Sequence, residues 1–527
     1  MLKLSTNKRE KHFIDFCLLY PKSRDMNRLW NRLFLLMAGV MVFTIGAVAQ
    51  PKTSLPAKPN IIYIYADDLG YGELGSYGQQ IIKTPNLDLL ARQGIRFTQH
   101  YAGAPVCAPS RAMLLTGKHS GQSYIRGNYE LGGFEDSLEA GQMPLPEGIQ
   151  TLPRLLKKAG YTTAICGKWG LGGPGTSGHP LKQGFDYFYG YLDQKQAHSF
   201  YPSHLWENER WDTLNNGYIY PHQTLDSGRK EKADFLPFIG KDYSQEKITE
   251  KAQAFIQKNK SKPFFLYLAY TIPHVSLQVP EKFAQPYIGK IPGDEPYYGR
   301  RGYLPNFHPL ATYAGMISAL DHYVGEIMAQ VKALGIDNNT IIMFSSDNGP
   351  SDHGGARPEV FNSNGGFRGL KGSLYEGGIR VPFIARWPGK IKPNQVNDHI
   401  SAQFDLLPTV AELLNIKPEY PVNGISLLPS LLGRSKQPQH PYLYFEFPEY
   451  GGQQAVLQGD WKGIRRNLIS NPHAAWELYN LSIDRREEND VADEHPEIIE
   501  RFKGIAQESH QHPQINEWEV IDGKSRK

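Results

Sequence analysis

At 527 residues the chain exceeds one average domain, and 40% hydrophobic, 12% aromatic and 21% charged residues describe an ordinary soluble globular protein. The net charge of +4 belongs to the first 35 residues, where eight Lys/Arg face three Asp/Glu, and the remainder stands at −1. Charge therefore gives no ground for a nucleic-acid partner, and three cysteines (Cys17, Cys107, Cys166) exclude a disulfide framework.

In chain order, Arg28 and Arg32 precede an uncharged apolar run over 33–49 that ends Ala47-Val48-Ala49. This is the pattern of a cleaved secretory signal, so residues 1–49 read as leader and signal peptide. Cleavage after Ala49 predicts a periplasmic or secreted protein with no stable membrane span; the competing reading is an uncleaved anchor, for which the run is short. Met26 is an alternative start. Residues 50–58 form a Pro-rich linker.

The catalytic region is expected over 59–436. Its first strand, 61–65, is a continuous apolar run leading into Asp67-Asp68 and Gly70. A buried parallel strand delivering two carboxylates at its C-terminal end suits a hard cation, although two Asp alone are equally compatible with a solvated turn. A second such strand, 340–346, ends in Asp347-Asn348. If the two are neighbours, an all-oxygen site results, which selects Ca²⁺ or Mg²⁺ over zinc.

A helix follows Pro85. The stretch Cys107-Ala-Pro-Ser110-Arg111, continuing to Thr116-Gly117, reads as a constrained turn opening a helix. Free N–H groups at a helix start and the Arg111 fork suit a tetrahedral anion, whereas the plain alternative is a buried thiol. A helix over 152–159 and a strand over 161–166 lead to Lys168 at a Gly-rich turn. Residues 173–235 show no clear periodicity, and 196–201, with His198, read as a substrate-facing loop, although a structural Ω-loop is equally compatible. A helix over 244–258 precedes the strand 263–270, after which comes His274. Residues 280–308 form an insertion, and 311–334 is an amphipathic helix. The Gly-rich loop at 365–382 carries Lys371, with Glu376 and Arg380 holding it together. From 437 the texture changes to alternating short strands and a helix near 496–507, the C-terminal region 437–527.

Cys-x-Pro-Ser-Arg-x-x-Leu-x-Thr-Gly, here Cys107 to Gly117, resembles the signature of the type I, formylglycine-dependent sulfatases. Gly167-Lys168-Trp169-Gly170-Leu171-Gly172 and the Lys371-Gly-x-x-x-Glu376-Gly-Gly-x-Arg380 segment resemble further parts of that family. The resemblance implies an α/β fold: an alkaline-phosphatase-like mixed sheet sandwiched by helices, plus a smaller C-terminal α+β domain with an antiparallel sheet. It implies that a maturation enzyme converts Cys107 to formylglycine (3-oxoalanine), whose hydrate attacks sulfur to form a covalent sulfo-enzyme. Ca²⁺, preferred over Mg²⁺, would be held by Asp67, Asp68, Asp347, Asn348 and residue 107. Arg111, Lys168 and Lys371 would bind sulfate, with His274 and Lys371 assisting the leaving group. The substrate would be a sulfated carbohydrate or aryl sulfate. One position departs from the pattern: Gly170 stands where the family commonly has His, and His179 or His198 is the candidate to replace it. The alternatives are a phosphonate or phosphate monoester hydrolase of the same superfamily, and a non-catalytic sulfoglycan-binding protein.

Overall fold

The computed structural model describes residues 58–523. The leader, Cys17, the cleavage site and the linker up to residue 57 lie outside the described residues. Ten strands form the main sheet: β1 (Asn60–Asp67), β2 (Ile95–Phe97), β3 (Thr162–Lys168), β4 (Tyr187–Tyr191), β5 (His204–Glu207), β6 (Arg210–Thr213), β7 (Phe264–Pro273), β8 (Thr340–Ser346), β9 (Phe383–Arg386) and β10 (Gln395–Asn397). Their order across the sheet is β10-β2-β9-β8-β1-β7-β3-β4-β5-β6. The central run β8-β1-β7-β3-β4 is parallel, while β9 and β5 turn antiparallel at either side.

Alternation along β1 explains the layering. Ile62, Ile64 and Ala66 join a core with helices α4 (Ser244–Asn259) and α5 (Pro309–Ala333), whereas Ile61, Tyr63 and Tyr65 join the opposite core. That second core holds the helices Cys107–Thr116, Leu152–Lys158 and Leu406–Leu414, here α2, α3 and α6; α1 (Pro85–Arg92) packs with the first. A sheet covered on both faces needs apolar residues at every position, which is why its central strands read as continuous runs.

Two expectations are corrected. The aperiodic stretch 173–235 contains β4 and the β5–β6 hairpin, which turns at Asn208 in the left-handed region (φ 57°). The strand expected over 263–270 runs on to Pro273, so His274 leaves directly from its end. Among the described residues, no helix is long and apolar enough to cross a membrane.

The C-terminal antiparallel sheet comprises β11 (Leu443–Phe447), β12 (Gln453–Gln458), β13 (Trp461–Arg466) and β14 (Glu477–Asn480), with α7 (Pro496–Ser509) on one face. Its other face, through Leu443, Phe445, Leu457 and Ile464, shares an apolar cluster with Val106, Leu374, Ile379 and Phe404. Inside this contact Lys462 is fully buried, 2.8 Å from Glu376 Oε1 and 3.0 Å from Glu487 Oε1, and Arg380 takes Glu376 Oε2 at 2.9 Å. The Lys371 loop is thus anchored to the C-terminal sheet by charge as well as packing. Replacing Lys462 by Met leaves Glu376 with Arg380 and takes from the buried Glu487 its ion pair, and should cost about 3–5 kcal/mol of stability in denaturant unfolding.

Candidate active site

Four parallel strands, adjacent in the order β8, β1, β7, β3, end at one edge of the sheet, and each delivers polar groups there. The register aligns Ala66 with Ser346, so Asp67-Asp68 and Asp347-Asn348 emerge side by side, with Asp68 N–H donating to Asp347 Oδ1 at 3.0 Å. β7 delivers His274 and β3 delivers Lys168. This is the edge at which open α/β sheets place their ligands.

Helix α2 brings Cys107 to the same point. Its N-cap, Val106, has no capping side chain, and Asn128 Oδ1 instead accepts from Ala108 N–H at 3.0 Å. Cys107 Sγ lies 3.2 Å from Asp67 Oδ1. Ser110 Oγ donates to the Asp347 carbonyl (2.6 Å) and bonds Gln403 Oε1 (2.7 Å), locking the helix to β8. Lys371 arrives from its loop, pinned by Lys371 N–H to the Pro350 carbonyl and Gly372 N–H to the Pro105 carbonyl, both at 2.9 Å. Gly349 permits this approach: a Cβ there would sit 1.9 Å from the Gly377 carbonyl oxygen.

The charges interleave. Arg111 Nη2 is 2.8 Å from Asp347 Oδ2 and 3.4 Å from Asp67 Oδ2, Lys168 Nζ is 2.7 Å from Asp67 Oδ2, and Lys371 Nζ is 2.8 Å from Asp68 Oδ1. Burial works to raise the Asp67 carboxyl, yet Lys168, His274, Arg111 and Lys371 together hold it well below the usual range. Asp347 is pushed up to about 7 by burial and the Asp67 charge. Burial opposes protonation of Lys168 and Lys371, but Asp67 and Asp68 respectively keep both charged. Burial, with Asp347 and Asp67, holds the Cys107 thiol far above its normal range. His274 is lowered to about 4 by burial and the Lys371 charge, so its ring is neutral at neutral pH.

The donor set fits a hard cation. Asn348 Nδ2 is engaged by Asp68 Oδ1 (2.7 Å) and the Gly349 carbonyl (2.9 Å), and its buried Oδ1 has no partner. Ligand atoms of Asp67, Asp68, Cys107 and His274 lie within 4.8 Å of one another. An orphaned acceptor among crowded carboxylates is what a divalent cation completes.

The sequence-predicted residues Asp67, Asp68, Cys107, Arg111, Lys168, His274, Asp347, Asn348 and Lys371 are brought together here. His198 stands at the side, its ring stacked on His274 with centroids 4.8 Å apart and planes 12° from parallel. His179 accepts from Leu181 N–H and packs edge-on against Phe188, holding a turn. Sequence reasoning missed Asn128, Gln403, His222 and Tyr303. His222 Nε2 is 3.2 Å from His198 Nδ1, and no motif or period marks it.

This geometry defines a site for a tetrahedral oxyanion ester: three fixed cations, a cation pocket of oxygen ligands, and residue 107 between them. The comparisons specify the class. A family model for sulfatases matches residues 59–416, and one for the C-terminal region of N-sulphoglucosamine sulphohydrolase matches 369–512. The chain is 31% identical to the N-acetylgalactosamine-6-O-sulfatase of Bacteroides thetaiotaomicron, over 90% of this chain and 98% of that protein. It is 34% identical to arylsulfatase A of Bos taurus, over 83% of this chain and 78% of the relative. The crystal structure of Ps i-CgsB aligns with a TM-score of 0.69 and 28% identity, covering 87% of this chain and 94% of that one. The chain belongs to the formylglycine-dependent sulfatases of the alkaline-phosphatase-like superfamily and is a sulfuric ester hydrolase.

The departure at position 170 has a structural counterpart. Gly170 takes φ +73°, and a Cβ on it would lie 2.8 Å from Gln194 Cγ, so the Gln194 side chain fills the space a residue there would use. Gly170→His should therefore cost about 1–3 kcal/mol in urea unfolding, with part of the loss recovered when Gln194→Gly is added.

Proposed function

We propose that the chain is an exported sulfatase that hydrolyses sulfate esters of carbohydrates, with Cys107 converted to formylglycine. The observation that carries this reading is the position of Cys107: first residue of α2, 3.2 Å from Asp67, within a ring of Arg111, Lys168 and Lys371. A thiol held protonated by burial is a poor nucleophile, which favours a converted side chain. The hydrated aldehyde would supply a hydroxyl nucleophile there. Asp67, Asp68, Asp347, Asn348 and residue 107 would hold Ca²⁺, which would supply further charge neutralisation.

The remaining work falls to the chain's own side chains. Arg111 is buried and permanently charged, with its Nε lacking a partner, so it is set to bind a sulfate oxygen. Lys168 and Lys371 neutralise the charge that grows on the sulfuryl oxygens in a site already organised to receive it. Lys371, charged and 14% exposed, is the residue that can reach the departing oxygen with a proton. His274, neutral in this setting, lines the same side. A sulfated carbohydrate as substrate is supported by the relatives: one is named for N-acetylgalactosamine 6-O-sulfate, and Ps i-CgsB has been crystallised with k-i-k-neocarrahexaose. Export rests on the leader sequence.

Cys107→Ala should reduce sulfate release to background, a loss on the order of 10⁶ in kcat when a nucleophile is removed; turnover by that variant would overturn the mechanism. Peptide mass spectrometry across residue 107 of matured protein should show the aldehyde or its hydrate. Calcium at about 100 times its Kd should stabilise the protein by about 2.7 kcal/mol in thermal unfolding. Asn348→Leu should lose most of that gain.

A further inference from the structure

His198 and His274 stack face to face because three chain segments converge on Ser276. Ser276 N–H donates to the His198 carbonyl at 3.1 Å, and Ser276 Oγ accepts from Leu304 N–H at 3.2 Å. The segment preceding Leu304 carries Tyr303, a non-glycine residue held at φ 67°, whose ring packs on His198 and His222 with centroids 5.2 and 4.8 Å away. The strand-free stretch around His222 is seated on the same insertion, with Leu225 N–H donating to the Tyr298 carbonyl at 3.0 Å.

Within this frame the hydrogen bonds have one direction. Tyr303 N–H points to His222 Nδ1 at 3.3 Å. A backbone amide can only donate, so His222 Nδ1 accepts, and the neutral ring keeps its proton on Nε2. That Nε2–H faces His198 Nδ1 at 3.2 Å, which must accept in turn, placing the His198 proton on its own Nε2. His274 is set the opposite way. Its Nδ1 contacts the Val275 carbonyl, which can only accept, so His274 is protonated at Nδ1 and leaves Nε2, on the Asp68 side, with a free lone pair.

We propose that His222, oriented by the Tyr303 backbone, is a positioning residue that fixes the tautomer of His198. The stacked pair then offers the sulfated ligand one N–H donor and one acceptor. The inference rests on the sulfate-ester reading of the adjoining cluster and goes beyond it. His198 adds an imidazole beside His274, and its donor is set by a residue at the rim that is neither a metal ligand nor a sulfate-binding cation. Burial, His274, Lys168, His222 and Lys371 all disfavour protonation of His198, consistent with a chain of neutral rings.

Two substitutions separate this role from mere packing. His222→Phe keeps a ring against Tyr303 but removes both hydrogen bonds. His222→Gln keeps an acceptor and a donor at nearly the spacing of the two ring nitrogens. In full-length matured protein with isotope-labelled histidine, long-range proton–nitrogen NMR should show His198 protonated at Nε2 in the wild type and in His222→Gln. It should show a tautomer mixture in His222→Phe. Hydrolysis of N-acetylgalactosamine 6-sulfate and of para-nitrophenyl sulfate should fall about five- to tenfold in kcat/KM in His222→Phe, the effect of one hydrogen bond. His222→Gln should recover to within about twofold. An unchanged His198 tautomer in His222→Phe, or a His222→Gln variant as impaired as His222→Phe, would overturn the proposal. Failure of the wild type to hydrolyse any sulfate ester would count against the sulfate-ester reading instead, and the NMR result would still decide the tautomer.

Discussion

The structure depends on the register between β1 and β8. Two parallel strands with Ala66 opposite Ser346 bring three carboxylates, Asp67, Asp68 and Asp347, into one buried space. Like charges that close cannot all remain ionised in a low-dielectric interior without compensation. Arg111, Lys168 and Lys371 provide it, and each is held by a different part of the chain: a helix start, the strand two places from β1 and a glycine-rich loop. The apolar cores on both sides of the sheet keep these elements at the distances the charges require. Much of the architecture can therefore be understood as a means of holding three carboxyl groups and three cations in contact.

A large part of this was legible in the sequence, for a physical reason. Strands buried on both faces must be continuously apolar, so 61–65, 263–270 and 340–346 stood out, and the polar residues at their ends marked the ligand edge. The helices carrying Cys107 and spanning Pro309–Ala333 announced themselves by a Pro-bounded start or by amphipathic period. The β5–β6 hairpin did not, because its strands are short and mix aromatic with charged residues at no fixed interval. His222, Tyr303, Asn128 and Gln403 were equally silent. Each acts on residues twenty or more positions away, from a loop or, for Gln403, from the short 3-10 turn that opens α6, where no periodicity constrains residue type, and its partner can be named only once the chain is folded. Gly170 is intermediate: the departure could be read, but the filling of its space by Gln194 could not. No motif marks Lys462 in the sequence, yet it is fully buried between two glutamates.

The C-terminal sheet is more than an appendage. One face packs against Val106, the residue before Cys107, and against Leu374 and Ile379 of the loop that carries Lys371. Arg126, buried near the Cys107 helix, reaches Glu446 on β11 at 2.6 Å, and His510 beyond α7 meets the same carboxylate at 2.8 Å. The sheet β11–β14 is separate from the main sheet in topology alone. Through the shared apolar cluster it packs beneath two of the site's positions, residue 107 and the Lys371 loop.

The burial of Cys107 has a consequence for how the protein is made. Its side chain is about 1% exposed, enclosed by β1, the Lys371 loop and the C-terminal cluster next to Val106. An enzyme that must grip the Cys107–Arg111 stretch cannot do so once these parts have closed, so any conversion has to happen while the chain is still open. Of the enclosing parts, β1 precedes Cys107, but the Lys371 loop and the C-terminal cluster lie hundreds of residues downstream, and at about 5–20 residues per second of synthesis they appear tens of seconds after Cys107 itself. The linear order of the chain thus creates a time window. The Cys107 segment is made early, and the Lys371 loop and C-terminal sheet that shut it in are made late.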